Sequence, residues 1–107
     1  MSSQNSQLSH MVYFTLADST DASRAKFVEA CNKYLNISEL LTHFSVGTRA
    51  TQYARPVNDQ EFDVTINLIF KDVASHDIYQ THPEHKKFIA ECQPMWSKAR
   101  VFDSLLQ

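Results

Sequence analysis

The chain has 107 residues, room for one domain and one core. Lys and Arg number 10 against 12 Asp and Glu, a net charge of -2, so no long-range field favours nucleic acid or an anionic membrane. Hydrophobic residues make up 43%, too many for wholesale disorder, and no apolar run approaches the roughly 18 residues that a membrane span needs.

Residues 1–7, MSSQNSQ, lack a basic segment leading into an apolar one. They read as a disordered polar tail, not a signal peptide, and the cytoplasm is the expected location. A single domain is expected over 8–107. In LSHMVYFTL, Leu8, His10, Val12, Phe14 and Leu16 alternate with Ser9, Met11, Tyr13 and Thr15, the two-residue period of a strand. ADSTD breaks that pattern, and Ser19, Thr20 or Asp21 suits a helix cap. Over 21–35, Phe27, Val28, Cys31, Tyr34 and Leu35 form one stripe of a 3.6-residue period. Residues 40–50, LLTHFSVGTRA, suggest a second strand, in which Gly47 marks an expected bulge or bend. A polar loop over 51–60 leads into FDVTINLIF. There Phe62, Val64, Ile66, Leu68 and Phe70 face one way, and Asp63, Thr65, Asn67 and Ile69 the other.

A short helix is expected over 73–80. THP interrupts it, and Pro83 suits the first turn of a new helix, where an N–H has no intrahelical partner. Phe88, Ile89, Cys92, Met95 and Trp96 repeat the helical stripe, with Pro94 bending or ending it. ARVFDSLL closes the chain as a strand. Cys31 and Cys92 each fall on an apolar stripe and read as buried thiols rather than a disulfide.

The order β-α-β-β-α-β suits an α+β, ferredoxin-like protomer: a four-stranded antiparallel sheet with both helical regions on one face. The other face is left bare, with Met11, Tyr13 and Ile69 on it. Exposed apolar groups there call for a second sheet, so a homodimer, a dimeric α/β barrel, is expected.

SHMVYFTL, FSVGTR and IYQTHPEHKKF together carry a resemblance. The chain resembles the stress-responsive dimeric α/β barrel domain family from about Leu8 to Leu105. The resemblance implies sheets paired face to face in a homodimer. Many members of that family have no assigned activity. One plant branch consists of cofactor-independent polyketide cyclases that catalyse an intramolecular aldol closure, and three of its site residues match His10, Tyr79 and His85 here. The resemblance therefore leaves two expectations. One is a stress-linked dimer binding a small apolar or aromatic ligand; the other is a cyclase-like enzyme.

The residues themselves leave the same choice open. An aldol closure needs a base beside a carbonyl and donors for the growing oxyanion. His85 suits the base, Tyr79 a donor or orienter, and His10 a supporting hydrogen bond. His82, Val12, Phe14 and Phe88 are the expected substrate contacts. Against this, His10 also reads as a satisfied core histidine, Tyr79 as an amphipathic core residue, and Thr81, His82 and Glu84 as helix caps. His76, His82 and His85 share one helical region, yet neither an HExxH motif nor a cysteine pair at ligand spacing accompanies them, so no metal and no cofactor is expected. No nucleophile elbow or phosphate-binding loop occurs. The expected partners are a second copy of the chain and a small ligand, with no nucleic acid and no membrane.

Overall fold

The computed structural model describes residues 6–107. The alternation in the first segment is realised as strand β1, Leu8–Leu16, whose Leu8, His10, Val12, Phe14 and Leu16 are all buried. Helix α1, Asp21–Leu35, starts at Thr20, whose side chain accepts from the Ser23 amide at 3.2 Å. That bond satisfies one of the free donors of a helix start. The predicted stripe is the buried one: Phe27, Cys31 and Leu35 are enclosed, with Val28 and Tyr34 partly so. Strands β2, Leu41–Thr48, and β3, Val64–Phe70, follow. Helix α2, Val73–Thr81, and helix α3, Pro83–Cys92, are separated by His82 alone, and a single 3-10 turn, Gln93–Met95, leads to β4, Trp96–Leu105.

The sheet order is β2-β3-β1-β4, with every pairing antiparallel. This is the ferredoxin-like arrangement. Leu8, Val12, Phe14 and Leu16 of β1 and Val64, Ile66, Leu68 and Phe70 of β3 form one core with Phe27, Cys31 and Leu35 of α1, Tyr79 of α2, and Phe88 and Cys92 of α3. All three helices therefore lie on one sheet face. An aromatic cluster ties the layers together: Phe14 and Phe27 ring centroids are 4.9 Å apart, Phe27 and Phe88 5.8 Å, and Phe14 and Trp96 4.9 Å. Both cysteines are free and buried.

Four local expectations change. Phe62 and Asp63 do not continue the alternation of β3, which opens at Val64. Phe62 packs against Tyr13 at 5.0 Å, on the open face of the sheet. Asp63 is buried. Its Oδ2 accepts from the Leu16 amide at 2.8 Å and the Ser19 hydroxyl at 3.0 Å, so hydrogen bonds replace the water it loses. Gly47 marks no bulge. It pairs with Thr65 in a regular ladder, and the irregularity of β2 lies between Leu41 and His43. The last strand begins at Trp96, before ARVFDSLL, because Trp96 pairs with Leu16 across the sheet. Residues 1–5 of the expected tail lie outside the described residues. Of the other two, Ser6 is buried, and the Gln7 carbonyl accepts from the Leu106 amide at 2.9 Å.

The open face carries Met11, Tyr13 and Ile69, each part-buried, together with Phe102, which is 54% exposed. An ion pair between Arg100 and Asp59, at 2.7 Å, pins the 49–63 segment against this face. Hydrogen bonding to Arg100 is the main cause that holds the Asp59 carboxyl below its usual range.

Truncating the centre of the core tests this packing. Phe27→Ala is expected to cost about 3–5 kcal/mol, read as a lower urea midpoint at unchanged slope. A loss below about 1 kcal/mol would contradict the burial described here.

Candidate functional site

His10 sits on the central strand β1, directly opposite Asp103 of the edge strand β4. Its Nδ1 lies 2.5 Å from Asp103 Oδ1. A carboxylate only accepts, so Nδ1 carries the proton, and a neutral ring keeps Nε2 free as a base. Helix α2 starts at Asp72, whose carboxylate accepts from the Ser75 amide at 2.8 Å. This start turns His76 and Tyr79, three residues apart, toward the sheet. The His76 ring is 5.2 Å from the rings of both His10 and Phe70, and its Nε2 is 3.9 Å from Asp103 Oδ1. The Tyr79 ring is 5.0 Å from Phe70 and 5.7 Å from His10. His85, in the first turn of α3, brings its ring to 4.4 Å from Tyr79.

The rings of His10, Tyr79 and His85 border a cavity of about 230 Å³ between the sheet and α2–α3. His10, Tyr79 and His85 line it with Asp103, and its apolar wall includes Val12, Phe14, Ile66, Phe88 and Val101. Six of the seven residues singled out from the sequence thus meet at one place. His82 is the exception. Its Nδ1 accepts from the Glu84 amide at 3.1 Å, capping α3, and its Nε2 is 3.7 Å from Glu39 Oε1. The cap holds its ring away from the cavity lining.

Sequence reading missed Asp103 and the convergence of His76 on it. Helical spacing places His76 beside Tyr79. Alternation in the last strand places Asp103 on the same face as Val101. Only the β1–β4 pairing joins the two.

Burial is the main influence on His10, Tyr79 and His85. It lowers the His10 pKa, and the Asp103 hydrogen bond opposes that shift without reversing it. Burial likewise lowers His85, opposed by the Gln80 carbonyl and reinforced by the neighbouring His10, His76 and His82. Burial raises the Tyr79 phenol. At neutral pH the cavity therefore presents neutral imidazoles and a protonated phenol, able to accept a proton and donate a hydrogen bond beneath an apolar wall.

The profile of the Stress Responsive A/B Barrel Domain family matches residues 8–105. The chain belongs to that family. No curated protein sequence matches it. Among solved structures, this barrel-domain protein is similar to a dimeric ferredoxin-like protein of unknown function from Thermobifida fusca, at 18% identity and a TM-score of 0.78, covering 99% of this chain and 96% of that one. It is similar to a Dabb family protein with a ferredoxin-like fold from Mesorhizobium loti, at 24% identity and a TM-score of 0.78, covering 95% and 98%. It is also similar to the hydroxynitrile lyase from Passiflora edulis, at 17% identity and a TM-score of 0.76, covering 96% and 95%. At these identities the likeness is one of fold. The helices of the barrel-domain protein include none long and apolar enough to cross a membrane among the described residues.

The lowered His85 pKa fixes the sign of a pH effect. Between the folded pKa and the ordinary 6.5, the unfolded chain binds more protons at this residue. Its contribution to stability is thus full above pH 6.5, falls as pH drops toward the folded pKa, and is constant below it. With chelator present, His85→Ala is expected to flatten the acid-side slope of melting temperature against pH. An unchanged slope, or an imidazole titrating above 6.5 by NMR, contradicts the burial effect.

Proposed function

We propose that this barrel-domain protein is a homodimer that binds a small aromatic or apolar carbonyl compound in the cavity beneath α2 and α3. The observation that carries this reading is the meeting of His10, Tyr79 and His85 on one apolar-walled space of about 230 Å³. An apolar cavity of about 150 Å³ holds benzene, and drug-sized ligands occupy about 300–1,000 Å³. The volume here suits a single substituted ring, not an extended poly-keto chain. The family's description supports a role in the stress response.

A second reading, proton transfer to and from such a ligand, is favoured by the His10–Asp103 bond. With Nδ1 tied to Asp103, the opposite nitrogen of His10 is free to accept a proton or a hydrogen bond. His85, kept neutral, would remove a proton alpha to a carbonyl, and the Tyr79 hydroxyl would donate to the resulting oxyanion. An intramolecular aldol closure is one reaction of this class. The hydroxynitrile lyase on the same fold supports small-molecule chemistry by analogy.

Melting temperature against a panel of single-ring aldehydes, ketones and phenols, with long acyl compounds alongside, tests the binding reading. One ring class is expected to raise it with the logarithm of concentration, the stabilisation reaching about 2.7 kcal/mol at a hundredfold excess over Kd. His85→Ala is expected to remove that rise while changing the free protein by about 1 kcal/mol or less. Exchange of the ligand's alpha protons with D₂O, followed by NMR, separates the readings. Enzyme-dependent exchange, reduced about 10²–10⁴-fold by His85→Ala, supports proton transfer. Binding without exchange leaves the ligand-carrier role. No shift with any compound, in a verified dimer, sinks both.

The dimer rests on the open sheet face. The dimeric ferredoxin-like proteins of similar fold support self-association here. Met11, Tyr13, Phe62 and Phe102 line a shallow space of about 500 Å³ on that face, which a second sheet would fill. Phe102→Asp places a charge at its exposed centre and is expected to yield a folded monomer in analytical ultracentrifugation. A dimer of undiminished affinity would move the interface elsewhere.

A further inference from the structure

We propose that His10, His76 and Asp103 form a divalent transition-metal site of the zinc class, with one coordination position open to the cavity. The proposal goes beyond the ligand reading and stands or falls on metal binding alone.

Three different elements, β1, α2 and β4, bring these side chains together, and one ligand atom from each lies within 4.8 Å of the other two. The Asp103 carboxylate is the shared point: Oδ1 is 2.5 Å from His10 Nδ1 and 3.9 Å from His76 Nε2. Tetrahedral zinc, with bonds of about 2.0–2.2 Å, holds its ligand atoms roughly 3.3 Å apart. The first distance opens and the second closes by less than about 1 Å to reach that spacing, within the reach of side-chain torsions. Two imidazoles and one carboxylate suit zinc and its neighbours, whereas magnesium and calcium take all-oxygen sets. Three protein ligands leave the fourth position for water, the pattern of a reactive rather than a structural site.

The electrostatics agree. Among the described residues, the ion-pair partners of Asp103 are these two histidines, and no lysine or arginine neutralises it. The side-chain exposures are 8% for His10, 14% for His76 and 41% for Asp103, so an ion arrives past the carboxylate and is gripped by the rings behind it. Binding moves the His10 proton from Nδ1 to Nε2 by exchange with water, so the ring stays a neutral imidazole, and the metal replaces the Asp103 contact at His10 Nδ1 and the Gln80 contact at His76 Nε2, 3.0 Å long. Sequence spacing concealed the set, because its members stand at 10, 76 and 103.

Titration calorimetry of the chelator-stripped protein with zinc, and absorption spectra with cobalt, test the site. One ion per chain is expected, with cobalt d–d bands and no thiolate charge-transfer band, and with tighter binding at higher pH. His76→Ala and Asp103→Asn are each expected to weaken binding by about tenfold or more. His82→Ala, at the α3 cap, and His43→Ala, on β2 at the opposite edge of the sheet, are expected to leave it unchanged. If His76→Ala fails to fold, zinc-induced shifts of the His10 and His76 ring ¹⁵N resonances in the wild-type protein replace it. Absence of stoichiometric uptake, uptake that survives both substitutions, a thiolate band, or unshifted ring nitrogens would each overturn the proposal.

Discussion

The register between β1 and β4 controls both faces of the sheet. It sets His10 opposite Asp103 and, one residue along, Met11 opposite Phe102. Successive side chains alternate, so the first pair lies beneath the helices and the second on the open face. A slip of one residue would exchange them, sending a carboxylate to the apolar face and a phenylalanine into the cavity. The aromatic core holds the register. Phe14 is fixed between Phe27 and Trp96, and the irregularity between Thr15 and Leu16 lets Trp96 pair with Leu16 while stacking on Phe88.

The cavity has its origin in the same layer. The helical layer covers the centre of β3, leaving Val64, Leu68 and Phe70 with no exposure, Phe70 beneath His76 and Tyr79 of α2. β4 is an edge strand, and cover fails over it: Val101, on the helix-facing side, is 53% exposed. Where the helical layer stops short, side chains lose contacts that a closed core would provide. An apolar surface placed there would restore those contacts, while Asp103 at the rim keeps the mouth polar. The fold thus produces a pocket by incomplete coverage, without a dedicated lid.

Local pattern was enough for the element order, for the 21–35 helix with its buried stripe, and for the new helix at Pro83. These depend on periods and caps that act within a few residues. Phe62, Asp63 and the start of β4 were not legible, because long-range bonds decide them. The Asp63 amide donates to the Phe14 carbonyl at 2.7 Å, a contact across 49 residues. Six cavity residues were legible because His10, Val12 and Phe14 share a strand face and Tyr79, His85 and Phe88 share a helical region. His82 reads from sequence either as a substrate contact or as a cap of α3, and its bond from the Glu84 amide decides for the cap. Asp103 stays ordinary until its partner strand is known.

The separation of α2 from α3 at His82 is what makes the histidine–tyrosine contact possible. In one unbroken helix, residues six apart are rotated by about 240° and displaced by about 9 Å, so Tyr79 and His85 would point away from each other. Pro83 lacks the N–H that would continue α2, and it disfavours helical geometry at His82, which is extended at φ -64 and ψ 137. The His82 amide still closes on the Tyr79 carbonyl at 3.1 Å, and its ring accepts from Glu84, so one residue ends α2 and begins α3 without leaving either terminus unserved. The second helix restarts in a new direction, and its first turn brings His85 to 4.4 Å from Tyr79. The histidines flanking Pro83 thus divide the work: His82 holds the break open, and His85 enters the cavity because the break is there.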